Sequence, residues 1–319
     1  MTEDDTIRIP PRRRWTRAAG LIGAVTVAGL AIFLWHGRDP PVVPHAPPPP
    51  SASRAPAPPV VEGPPLATEA DILARAPTEP EAYRFAPQPD IVIVQFPDLG
   101  TQAAALNRAA ALVEKAGFPR DRVLEDAELE RRIRGLGEDP ARFYYGHDYR
   151  IADLHRFFTL ARQQHVALTP EEQSLERQLQ TWQAGAILTL VRQNEVLDRQ
   201  ARAVILRHEL SHGLYFTNAA YAAYAQAFWD HTLAPSEQAG FRRFLAADGY
   251  DILQADLVTN EMQAYLMHTT DERFFNADAV GIAPARLAQL RGLFLVGMPP
   301  GWLRDCTPSP TTAPVSSRP

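Results

Sequence analysis

Apolar and polar positions fall along this chain in blocks of different period. Ala18 to Trp35 reads AAGLIGAVTVAGLAIFLW, eighteen residues without a charge. As a helix the run rises about 27 Å, enough to cross a hydrocarbon core. Trp15 and Trp35 bracket it as interfacial aromatics do, and Arg8, Arg12, Arg13, Arg14 and Arg17 precede it. The pattern predicts a basic cytoplasmic tail at 1–17 and a single transmembrane anchor at 18–35. The rest of the chain is then exported across the inner (cell) membrane, into the periplasm or outside. A cleavable signal peptide is the competing reading. It has a shorter apolar region and a small-residue cleavage site directly after it, where this chain has HGRDPPVVP.

The periodic patterns of a folded domain occupy residues 66–304. DIVIVQF, 90–96, is a short run rich in β-branched residues and predicts a buried strand. TQAAALNRAAALVEKAGF, 101–118, is alanine-rich, opens at a threonine and ends near a glycine, which predicts a helix capped by Thr101. RVLEDAELERRIRGLG predicts another helix, and one more starts near Ile151. TPEEQSLERQLQTWQ has a threonine cap, proline at the first helical position and early acids, a strong helix start. AGAILTLVRQN predicts a strand over 186–191, and long helical segments follow to about 304. The fold class is α+β, helix-dominated, with a few strands.

Composition separates the flanks from this domain. Twelve of the 30 prolines fall between Pro40 and Pro65. Residues 36–65 therefore form a Pro-rich linker, a semi-rigid polyproline stalk that cannot bury a core. The tail 305–319, DCTPSPTTAPVSSRP, has the composition of disorder. A net charge of -5 argues against a nucleic-acid partner, which calls for a basic face. The lone cysteine, Cys306, excludes an intramolecular disulfide and any cysteine-based metal site. A metal here must be held by histidine and carboxylate.

RHELSHGLYF, 207–216, contains such residues at a telling spacing. Positions four apart lie one turn above each other on one helix face, so His208 and His212 can share one ion. Glu209, offset by one residue, can reach a water on that ion without ligating it. Val196, Ala201, Val204, Ile205, His208, His212 and Tyr215 share one broad stripe, which places the motif on an amphipathic helix. The alternative is a chance match, or histidines used only for structure.

These residues resemble the zincin metallopeptidases, whose signature is H-E-x-x-H. The branch that continues to a third histidine is excluded, because Tyr215 and Asn218 stand at the relevant positions. The gluzincin branch supplies a glutamate from a later helix, often after asparagine, and Asn260-Glu261 has that form. The resemblance covers about sixty residues. It implies a zincin-like catalytic domain at 66–304 with Zn2+ held by His208, His212 and Glu261, and Glu209 as general base. It also implies that the strand 186–191 edges the cleft and pairs with extended substrate. His231, Asp256, Glu237 and His268 remain rivals for the third ligand.

A helix starting near Asp251 would put Glu261, Tyr265 and His268 on one face. Tyr265 and His268 are thus the favoured catalytic candidates for stabilising the oxyanion, with Tyr215 beside them. Glu261 lies forty-nine residues after His212, further than in thermolysin-like members, and Ala264-Tyr265 replaces the small-acidic pair that often follows. Asp251 and Asp256 are candidates to anchor a ligating imidazole. FYYGHDYR, 143–150, is an aromatic, charged loop in which His147 and Asp148 are either functional or a cap for the helix at Ile151.

The expected activity is hydrolysis of a peptide bond in an envelope-associated protein or peptide, with membrane attachment through the N-terminal helix. A catalytically inactive zincin-fold scaffold that binds an envelope partner is the alternative. Zinc-dependent cleavage of a cell-wall peptide would use the same residues.

Overall fold

The computed structural model describes residues 63–194 and 197–307. The basic tail, the anchor at 18–35, most of the Pro-rich linker, Val196 and the tail from 308 lie outside the described residues. Among the described residues no helix is long and apolar enough to cross a membrane.

A short strand β1 (Leu66–Ala67) leads into helix α1 (Glu69–Ala74), which is held by a capping box between Thr68 and Asp71. Strands β2 (Glu81–Phe85) and β3 (Ile91–Phe96) follow, then helix α2 (Leu99–Val113). Asp98, not Thr101, caps α2. Its carboxylate accepts the Thr101 N–H at 2.7 Å. The helix also stops short of Gly117, because Lys115 bridges to Tyr250 and the Ala116 N–H donates to the Gly249 carbonyl at 3.0 Å.

Helix α3 (Asp126–Gly135) and a 3₁₀ turn at Pro140–Arg142 lead to strand β4 (Asp148–Arg150) and helix α4 (Ile151–Gln163). Helix α5 (Pro170–Leu179) has the expected Thr169 cap, completed by Glu172. Strand β5 (Ala186–Val191) precedes the long helix α6 (Arg199–Thr217), capped by Asp198. Helices α7 (Ala219–His231), α8 (Pro235–Ala247) and α9 (Ala255–Gln263) come next, and a π turn at Ala264–His268 continues α9. Helices α10 (Ala277–Val280), α11 (Pro284–Gly297) and α12 (Trp302–Asp305) complete the described residues. The described residues are helix-dominated α+β with one small mixed sheet.

The sheet order is β1-β2-β3-β5-β4. β3 and β5 run parallel at its centre, from Ile91 opposite Ala186 to Phe96 opposite Val191, and every residue of both is buried. Burial on both faces is why these two read as continuous apolar runs. β4 lies antiparallel to β5 and forms the edge. The resemblance implied that the strand 186–191 edges the cleft and pairs with extended substrate; that strand is interior to the sheet, and three residues of β4 are too short to leave a periodic signal.

Helix α6 lies between two cores. Leu206 and Leu210 join the sheet-side core, whereas Leu214 and Tyr215 join the helical one formed with α7, α8, α9 and α11. Close approach to the sheet depends on Gly213. A Cβ there would meet the Ile91 and Leu188 side chains at 2.9 and 3.1 Å. α6 is thereby pressed against β3 and β5, with His212 fixed one residue away. Cys306, placed by sequence in the tail, is half-buried, and its carbonyl accepts from Arg207 Nη1 at 2.8 Å.

Candidate metal centre

His208 and His212 project from one face of α6, as their spacing requires. Their Nε2 atoms lie 3.0 Å apart. Glu261, from α9, places Oε2 at 3.9 Å from the first and 3.8 Å from the second. A point equidistant from these three atoms lies about 2.1 Å from each, the length of a bond from zinc to nitrogen or oxygen. His208, His212 and Glu261 form a group that could hold a metal ion, and it is the one such trio among the described residues.

Electrostatics of the trio also fit a cation. Both oxygens of Glu261 are buried without a hydrogen-bond partner among the described residues, and so is Oε2 of Glu209. An ionised carboxylate in that setting costs several kcal/mol unless a positive charge lies beside it. Burial, and then the charges of Asp148 and Glu114, push the Glu261 carboxyl well above its usual range. Burial likewise holds His212 down to about 4 and His208 well below its ordinary value, so both imidazoles are neutral, the form that binds metals. A divalent ion reverses the penalty on the carboxylate while leaving the neutral imidazoles in place.

The outer nitrogens of the two imidazoles have different neighbours. Nδ1 of His208 lies 2.8 Å from the hydroxyl of Thr269. Nδ1 of His212 faces Asp148 Oδ2 at 3.8 Å. Neither proposed anchor, Asp251 nor Asp256, serves here. Asp251 is paired with Arg120 at 2.9 Å, and Asp256 with Arg150 at 3.0 Å and the Tyr215 hydroxyl at 2.8 Å.

Glu209 is buried at the mouth of the site. Gly146 lies against it, so that a Cβ on that residue would run into the carboxylate. Burial, then the charges of Asp148, Glu261 and Glu114, push its carboxyl well above the usual range. A cleft of about 200 Å³ opens beside Glu209 and His208. Aromatic side chains, among them Tyr144, Tyr145, Phe244, Tyr250, Tyr265 and Phe274, line much of it. The Lys115 ammonium also lines it, over the rings of Tyr250 and Tyr144 at 4.0 and 4.3 Å.

Tyr265 stands in this cleft. Its ring meets His208 edge-on at 4.8 Å, and its hydroxyl reaches Asp248 Oδ2 at 3.4 Å. His268 does not line the cleft; it lines a separate cavity with Arg207, Met267 and Thr270. The reason is the π turn. Seven α-helical residues return a side chain to within about 20° of its starting direction, so His268 was expected beneath Glu261. The π turn takes up one additional residue, and Thr269 arrives where His268 was expected. Tyr215 does not line the cleft either.

The other rivals for third ligand are occupied or distant. Glu237 accepts from Arg286 at 2.6 Å and from the Ala234 N–H at 2.8 Å, and His231 is exposed at the end of α7. Sequence reasoning missed Gly146, Lys115 and Thr269. It flagged Asp148 only as part of an aromatic loop, whose mixture of charge and rings was the available signal. No family model matches the chain, and no curated protein or solved structure is significantly similar to it.

Proposed function

We propose that this chain is a zinc-dependent metallopeptidase of the gluzincin type, hydrolysing a peptide bond in an envelope-associated protein or peptide. The observation that carries this reading is the trio of His208, His212 and Glu261. Two imidazole nitrogens and one buried carboxylate oxygen surround a point at metal-bond distance from all three. Zinc, when bound, supplies Lewis acidity: it polarises a carbonyl and makes water nucleophilic at neutral pH.

The chain's own residues supply the rest. Glu209 lines the cleft next to His208, and Oε2 has no competing hydrogen bond among the described residues. It accepts the proton of the attacking water and delivers it to the departing amine. Thr269 orients the His208 imidazole, and Asp148 is the carboxylate that faces His212. The aromatic walls exclude water and hold the substrate's apolar groups. Tyr265, which lines the same cleft, is the better placed of the two oxyanion candidates. The uncharged run at 18–35 and its arginine flank support a single-pass anchor with this domain outside the inner membrane.

The test is zinc content by elemental analysis together with peptide hydrolysis, on the full chain in detergent and on Glu261→Gln and Glu209→Gln variants. One zinc per chain is expected, sharply weakened by Glu261→Gln. Glu209→Gln should keep the zinc and lose hydrolysis. A folded wild-type protein that takes up no zinc under zinc-replete conditions would refute the proposal.

A further inference from the structure

The π turn that moves His268 out of the cleft brings a hydroxyl in. The Thr269 N–H donates to the Ala264 carbonyl at 3.1 Å, and the Thr269 hydroxyl donates to the same carbonyl at 3.1 Å. With its proton committed there, Oγ1 offers a lone pair to Nδ1 of His208, 2.8 Å away. That arrangement puts the ring proton on Nδ1 and leaves the Nε2 lone pair facing His212 and Glu261. Thr269 is 3 % exposed, so the bond is largely shielded from water.

We propose that Thr269 is a positioning residue for the metal, fixing the tautomer and orientation of His208 in the role a carboxylate commonly fills. This rests on the metal-centre reading given above. The π turn is part of the device. In an uninterrupted α-helix Thr269 would stand eight residues from Glu261, about 80° round the helix from it and out of reach of His208. A hydroxyl in place of a carboxylate also has a consequence for charge. It orients the imidazole without adding a further negative charge to a site already surrounded by Asp148, Glu209 and Glu114.

The experiment measures zinc affinity by competition with a chromophoric chelator, for the full chain and for Thr269→Val and Thr269→Ser. Valine keeps the shape and removes the acceptor oxygen; serine restores the oxygen. Zinc binding roughly 10- to 100-fold weaker in Thr269→Val is expected. Thr269→Ser should lie within a few-fold of the wild type. A purely structural role would not be rescued by serine, which leaves the methyl cavity unfilled. Equal affinities of the wild type and Thr269→Val would overturn the inference while leaving the metal centre standing. Absence of zinc binding in the wild type would overturn both.

A second measurement covers the case in which Thr269→Val does not fold. Long-range proton–nitrogen NMR on the metal-free wild type should show His208 protonated at Nδ1. A proton found on Nε2 instead would refute the assignment.

Discussion

Gly146 lies against the carboxylate of Glu209 with no room for a methyl group between them. The loop that ends in the edge strand β4 therefore sets where the Glu209 carboxylate can stand. Gly146→Ala should displace the Glu209 carboxylate and leave His208, His212 and Glu261 in place. A misplacement of about 1 Å costs roughly 100-fold in rate. The expected outcome is zinc content like the wild type, with kcat/KM for a peptide substrate reduced by about that factor. Unchanged hydrolysis would mean that Glu209 is not the base, or that the loop yields freely.

Asp148 is the acidic neighbour of His212, at 3.8 Å from its Nδ1. It stands on β4, which pairs with β5 from Asp148 opposite Leu188 to Arg150 opposite Ala186. The sheet therefore fixes it relative to α6. Asp148→Asn keeps the shape and removes the charge. Zinc affinity should fall by about 10-fold, the lower end for partners of ligating histidines, because the side chain lies beyond direct hydrogen-bond distance. Competition with a chelator gives the number, and an unchanged dissociation constant would assign Asp148 to another role.

Much of this site was legible in the sequence because a helix makes spacing into geometry. His208 and His212 share a face at any α-helical geometry, and the two central strands announced themselves by their unbroken apolar runs. The remainder depends on contacts that sequence spacing does not encode. Asp98 outcompetes Thr101 as a cap because its carboxylate reaches the Thr101 N–H. β4 is held by only three register pairs with β5. Thr269 is reached through one residue of altered helical phase, and that same shift removes His268 from the place helical spacing gave it.

Arg202 is a buried guanidinium on α6. It donates to the carbonyls of Val191 at 2.9 Å, Leu73 at 2.6 Å and Ile72 at 3.1 Å. It ties α1 and the end of β5 to the helix that carries His208 and His212. Arg202→Ala would leave three carbonyls short of a donor, although Ile72 keeps one from Gln95 at 2.6 Å. The change should destabilise the fold by about 2–4 kcal/mol. Urea unfolding of the two proteins checks this. A loss below about 1 kcal/mol would show that water satisfies the carbonyls instead.

Stability of the metal-free protein should depend on pH in a direction set by two opposed groups. Burial raises Glu114 and Asp148 to about 7, well above their unfolded values. Their contribution is fully present below the unfolded pKa, near 4, and is lost as pH rises through about 7. Burial lowers His147 and His268 to about 3. Their contribution is present above the unfolded pKa near 6.5 and is lost as pH falls toward about 3. Between about 4 and 6.5 the two pairs offset each other. From about 6.5 upward only the carboxylates act, and the metal-free fold should weaken until they are fully ionised. Each group contributes at most about 1.4 kcal/mol per pH unit. Urea midpoints of the chelator-treated protein at pH 5.5, 7 and 8 test this, with the lowest midpoint expected at pH 8. A midpoint that rises from pH 5.5 to 8 would show that the histidines dominate and that the buried carboxylates already have a compensating positive charge.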